Sequence, residues 1–81
     1  MKKTVRVRYF AILREQRGLG EEGVETGAST AAEVYEELRT LHGFTLPAAR
    51  LRVAINDDFA PWSTKIGDGD ALAFLPPVAG G

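Results

Sequence analysis

At 81 residues the chain has room for one domain with one modest core, and 44% hydrophobic and 26% charged residues are ordinary for a soluble globular protein. A net charge of −1 argues against nucleic-acid or membrane binding by the chain as a whole, and no apolar run reaches membrane-spanning length. The lack of cysteine excludes disulfides and thiolate catalysis, and with no apolar leader behind Lys2 and Lys3 a cytoplasmic protein is expected.

Thr4-Val5-Arg6-Val7-Arg8-Tyr9-Phe10 alternates with period two and predicts a strand, with Val5, Val7 and Tyr9 on one face and Arg6, Arg8 and Phe10 on the other. Ala11 to Arg17 fits two helical turns stopped by Gly18 and Gly20, and Gly23 to Thr26 is a weak second strand. The clearest helix begins at Thr30, which stands in capping-box spacing to Glu33. Ala31, Val34, Leu38 and Leu41 form its expected apolar stripe, and Gly43 its stop. Beyond the break at Leu46-Pro47, Leu51 to Ile55 alternates again, and Asn56-Asp57-Asp58 is turn chemistry before a short extended piece at Phe59. Gly67-Asp68-Gly69-Asp70 is a further turn, and Ala71 to Leu75 is the last strand. The order ββαβ(β)β is an α+β chain with its main helix packed on one sheet face.

The end of the sequence carries the strongest functional signal. Pro76 and Pro77 supply no N–H and cannot extend a sheet ladder, so they are expected to lift the tail off the domain in a stiff exit. Val78 and Ala79 are small, and Gly80 and Gly81 lack the Cβ atoms that would block a narrow slot. Pro76 to Gly81 spans about 20 Å when extended, enough to carry a carboxylate into a neighbouring protein. That carboxylate is ionised and a poor electrophile at neutral pH, so attack on it needs prior activation to supply a good leaving group. Gly18-Leu19-Gly20 lacks the lysine and hydroxyl residue of a phosphate-binding loop, so the chain cannot perform the activation alone.

The order of elements, the Gly67-Asp68-Gly69-Asp70 turn and the ending Phe74-Leu75-Pro76-Pro77-Val78-Ala79-Gly80-Gly81 resemble the small subunits of molybdopterin synthases, which are ubiquitin-like sulfur carriers. The resemblance implies a β-grasp domain over residues 1–75, with a mixed sheet of four to five strands and parallel first and last strands. It implies a flexible tail over residues 76–81. It also implies that Gly81 is adenylated and thiocarboxylated by an E1-like enzyme that supplies ATP and Mg²⁺, with no cofactor held by this chain. The tail would then enter a large synthase subunit, the two forming a heterotetramer, and pass sulfur to cyclic pyranopterin monophosphate. Family positions matching Phe10, Phe59 and Leu75 contact both large partners; the last is usually aromatic, so leucine there is a weaker anchor.

Alternation independently places Phe10 and Leu75, with Ala54, Ala71 and Ala73, on the sheet face away from the helix, and Phe59 can join its edge. The competing reading makes these residues a second small core with Ile12 or Trp62. Trp62 is expected to be a packing anchor, the lone His42 a solvated or capping residue, and the aspartate pairs turn formers, none a metal or acid–base site. The arginines at 6, 8, 14, 17, 50 and 52 are expected to be solvated, some pairing with an acidic partner. A ubiquitin-like protein modifier, a sulfur carrier for thiazole, cysteine or transfer-RNA thiolation, and a passive binding domain remain open alternatives.

Overall fold

The first strand, β1, spans Lys3–Tyr9 and buries Val5, Val7 and Tyr9 while Thr4, Arg6 and Arg8 face outward, as period-two alternation requires. The computed structural model describes residues 2–77. Helix α1, Ala11–Arg17, follows at once and ends on Gly18, whose φ of 82° is open to glycine at little cost. Strand β2, Glu21–Thr26, returns antiparallel to β1 and begins earlier than its hydrophobicity predicts, because its inward positions alternate Glu22, Val24 and Thr26. An inward carboxylate hides the strand from a hydrophobic pattern.

Helix α2, Ala31–His42, starts in a complete capping box between Thr30 and Glu33 and stops at Gly43 in the left-handed region. The backbone N–H groups of Ser29 and Thr30 hold the Glu33 carboxyl below its usual range. The buried stripe is Ala31, Val34, Tyr35 and Leu38, not the expected one. Leu41 lies about 70° from the centre of that stripe, in the last turn, and is 74% exposed. Tyr35 takes the core position and donates from its hydroxyl to the Leu46 carbonyl at 2.6 Å.

A 3₁₀ turn, Ala48–Arg50, leads into β3, Arg52–Ile55, and a tight turn at Asn56-Asp57 leads into β4, Asp58–Ala60. Both turn residues have positive φ, the geometry of a two-residue hairpin whose twist suits the strands. Residues 61–70 carry no strand and brace the start of α2: the carbonyls of Thr64 and Trp62 accept from the N–H groups of Ala31 and Ala32. Asp70 closes the last turn by accepting from the Gly67 N–H at 2.7 Å. Strand β5, Ala71–Leu75, then runs up the middle of the sheet.

The sheet has the order β2-β1-β5-β3-β4, with β1 and β5 parallel and every other pairing antiparallel. The hydrophobic core gathers Val5, Val7, Tyr9, Val53, Leu72 and Phe74 from the sheet against Val34, Tyr35 and Leu38 of α2. Trp62 packs against this core, stacked on Phe74 at 5.8 Å and tilted on Tyr35 at 5.7 Å, so it is the packing anchor expected of it. This is the ubiquitin-like β-grasp, including the parallel central pair that the resemblance implied.

Candidate functional site: the outer sheet face and the root of the tail

Because α2 covers one face of the sheet, the side chains that alternate away from it form a surface of their own. Register aligns Arg8, Ala73, Ala54 and Phe59 across β1, β5, β3 and β4 in one row. Arg52 pairs with Leu75 in the next row toward the tail, and Phe10 follows directly after the Tyr9–Phe74 pair. The middle of the surface is therefore small and apolar, and its tail end is bordered by aromatic rings. Phe59 is 66% exposed, while Phe10 and Leu75 are half-buried. Ile12 is exposed and Trp62 belongs to the main core, so the outer face is not closed by a second core of those residues.

Phe59, Leu75, Pro76 and Pro77 come together around a groove of about 530 Å³, completed by Leu51, Arg52 and the 3₁₀-turn residues Ala49 and Arg50. Phe10 lies across β5 from it, over a separate hollow shared with Arg8, Arg14 and Gly20. Of the residues expected to act, Phe59, Leu75, Pro76 and Pro77 are thus assembled in one place and Phe10 stands to one side. Val78, Ala79, Gly80 and Gly81 lie outside the described residues.

The hinge between β1 and α1 sets the position of Phe10. Phe10 is extended, with φ −132°, and Ala11 takes the left-handed φ of 52°, unusual for a residue with a Cβ. At its far end α1 is secured by a polar clasp that sequence reasoning missed. Arg17 donates to both oxygens of Glu22 at 2.8 Å, and the Tyr9 hydroxyl donates to Glu22 at 2.7 Å. The Arg17 hydrogen bonds hold the Glu22 carboxyl at about 2, against the opposing effect of burial. Burial, then the Glu22 carboxylate, pushes the Tyr9 phenol well up.

His42 sits beside this clasp, its Nε2 at 3.8 Å from Glu22, too far for a hydrogen bond, and its ring near Phe44. Burial and the Arg17 cation lower its pKa more than Glu22 raises it, so it is neutral near pH 7. Arg17 is therefore not the solvated residue expected, and His42, expected to be solvated or capping, packs inward from the last turn of α2. The sequence signal that finds the clasp is an arginine and a glutamate separated only by a glycine-bearing loop. Among the described residues no group of three or more histidine, aspartate or glutamate side chains converges as a metal site. Asn56, Asp68 and Asp70 are occupied in turn hydrogen bonds to Asp70, Thr4 and Gly67 respectively. No helix among the described residues is long and apolar enough to cross a membrane.

Residues 7–81 match the ThiS family description. The chain belongs to the ThiS family. Among its relatives are proteins named molybdopterin synthase sulfur carrier subunit from Mycobacterium tuberculosis, 35% identical, and from Haemophilus influenzae, 36% identical. The first alignment covers 95% of this chain and 96% of the relative, the second 93% and 96%. Among solved structures it is similar to small archaeal modifier protein 1 from Haloferax volcanii, with 26% identity and a TM-score of 0.79 over 96% of this chain and 99% of that one. It is also similar to a chain in the complex of subunits 1 and 2 of molybdopterin-converting factor from Helicobacter pylori. There the identity is 29% and the TM-score 0.64, over 96% of this chain and 99% of the other. This ThiS-family chain thus has relatives named as sulfur carrier subunits and a structural neighbour solved in complex with a second subunit.

Proposed function

We propose that the chain is a cytoplasmic sulfur carrier of molybdenum cofactor biosynthesis, the small sulfur-donating subunit of a molybdopterin synthase. The observation that carries the reading is similarity over nearly the whole of both chains to two proteins named as such subunits. The groove of Phe59, Leu75 and the two prolines supports it, because a partner seated on the outer sheet face there also meets the start of the tail.

In this reading a Gly81 carboxylate oxygen attacks the α-phosphorus of ATP on an E1-like enzyme, which brings Mg²⁺ and releases pyrophosphate. A hydrosulfide-level sulfur then displaces AMP from the carbonyl carbon and leaves a thiocarboxylate. Adenylation is needed because the free carboxylate would have to expel an oxide-like leaving group. Pro76 and Pro77 stiffen the exit, Val78 and Ala79 stay slim, and Gly80 and Gly81 pass a narrow channel into the large subunit. The thiocarboxylate sulfur bonds to a carbon of cyclic pyranopterin monophosphate as an oxygen substituent leaves that carbon, and water cleaves the acyl–sulfur bond to restore the carboxylate. Each loaded chain gives one sulfur, so a dithiolene consumes a pair of carriers. Phe10, Phe59 and Leu75 serve as the docking residues for the large subunit and the activating enzyme.

Intact mass spectrometry tests the proposal. After incubation with the activating enzyme, ATP and a sulfur source, the chain should gain about 16 Da as one sulfur replaces one oxygen. Mixed with the large subunit and the pterin precursor, it should return to its original mass as molybdopterin forms. A loaded chain that transfers nothing to the pterin sinks the reading. The second reading, a ubiquitin-like protein modifier, is favoured by the likeness to small archaeal modifier protein 1, and it gains ground if the activated chain appears as an amide on lysines.

A further inference from the structure

The groove at the tail root is flanked by charges that sulfur chemistry does not use. Arg50 and Arg52 line it, both are exposed, and neither forms an ion pair or a side-chain hydrogen bond among the described residues. The Arg52 guanidinium lies over the Phe59 ring, 5.5 Å from its centroid. Across β5, Arg8 lies in the same way over Phe10 at 5.4 Å, with Arg14 lining the hollow beside it. The opposite end of the sheet carries both signs, with Asp57 and Asp58 at the β3–β4 turn and Asp68 before β5 beside Lys2 and Lys3. The charged residues that line the groove itself are thus both cationic, although the chain carries a net charge of −1.

Stacking on a ring steadies the plane of a guanidinium and leaves its edge free to donate in parallel to a carboxylate. Beside the arginines the groove is walled by Phe59, Leu51, Leu75 and the two prolines, all apolar. Apolar walls with paired cationic arms fit one kind of occupant. We infer that the groove receives an acidic, extended segment of the large partner subunit. One apolar side chain of that segment lodges against Phe59, Leu75 and Pro76, and its neighbouring carboxylates pair with Arg50 and Arg52. The inference rests on the sulfur-carrier reading and names the chemistry of that partner's contact. A second copy of this chain placed groove to groove would set arginines against arginines, which disfavours it. Since Pro76 and Pro77 form one wall, the occupant also holds the point from which the tail departs.

Calorimetric titration with the large synthase subunit of the same organism, at about 50 and about 500 mM salt, tests this. Wild-type affinity should fall as salt rises, because the contact is charge-paired. The Arg50→Glu/Arg52→Glu double variant should bind at least about 100-fold more weakly and lose most of that salt dependence, with an unchanged melting temperature. Should the double variant melt early, Arg50→Glu alone, which touches no ring, decides by the same affinity criterion. A charge-reversed carrier that binds with the wild-type constant and the wild-type salt slope overturns the inference. Dimers of the free wild-type chain that these substitutions dissolve would assign the groove to a second copy and overturn it as well. A wild-type chain that does not bind the large subunit at all fails differently, because it removes the sulfur-carrier reading itself.

Discussion

The Glu22 carboxylate faces inward on an edge strand, where a hydrocarbon would be expected, and gathers Arg17 and Tyr9 around it. Its pKa stands at about 2 against a usual 4.5, so the folded state prefers the charged form. The stability this contributes is complete above pH 4.5 and is lost as pH falls through that interval toward 2. His42 acts in the same direction at milder acidity. Its folded pKa is lowered from 6.5, so the unfolded chain takes up protons first and stability declines as pH drops below 6.5. Melting temperature against pH should therefore show two acid limbs. Glu22→Gln should cost about 1–3 kcal/mol at neutral pH, since it weakens the pairing of Arg17, and should flatten the lower limb. His42→Gln should flatten the upper one. A Glu22→Gln protein that keeps the full lower limb would show that other carboxylates produce it.

At the scale of elements, α1 and α2 are stabilised in different ways. Helix α2 has a capping box, a left-handed glycine stop and a buried stripe, so much of its order is written locally. Helix α1 is 7 residues long, has no side-chain cap at Phe10, and buries only Leu13 fully. A helix of that length is not stable alone, so its order comes from Leu13 and the Arg17–Glu22 clasp. Leu13→Ala should cost about 2–5 kcal/mol and loosen α1 before α2. Amide exchange checks this: the Gly18 N–H, bonded to the Arg14 carbonyl, should speed up more than the Gly43 N–H, bonded to Arg39. Equal acceleration of both would mean that α1 has no separate opening. The same contrast explains what the sequence made legible. Thr30, Glu33 and Gly43 announce α2 by local chemistry, alternation places Phe10 and Leu75 on the outer face, and the turn at Asn56-Asp57 brings Phe59 to its edge. Arg50 reaches the groove only because the turn after Pro47 is braced by distant parts of the fold, including the bond from Tyr35 to Leu46. Leu41 falls outside the core because a spacing rule does not say where along a helix the sheet beneath it stops.

For the molecule as a whole, the central pairing joins residues from the two ends of the sequence, Arg6 to Ala71 and Tyr9 to Phe74. Nothing periodic in either strand reveals that partnership; it followed from the resemblance, and physically it is the joint result of α2 crossing one face and β2 already occupying one edge of β1. Closing so long a loop is unfavourable until the core of Leu72 and Phe74 forms on the other side. Refolding after denaturant dilution should accordingly be slow for a small domain, in about the millisecond-to-second range, and not in microseconds. Stopped-flow Trp62 fluorescence is a suitable probe, since that ring stacks on Phe74 of the last strand. A microsecond phase carrying the whole signal would contradict a rate set by β1–β5 closure.

Parallel pairing of β1 with β5 has a mechanical side too. The start of β1 and the finish of β5 lie at opposite ends of one ribbon. Tension applied between Lys3 and Leu75 runs along the strands and strains all the bonds of the ladder together. An antiparallel pair would present those two points side by side and open bond by bond, like a zipper. A protein that grips and tugs the end of β5 therefore meets the resistance of the entire ladder, and the domain follows the pull as one rigid piece.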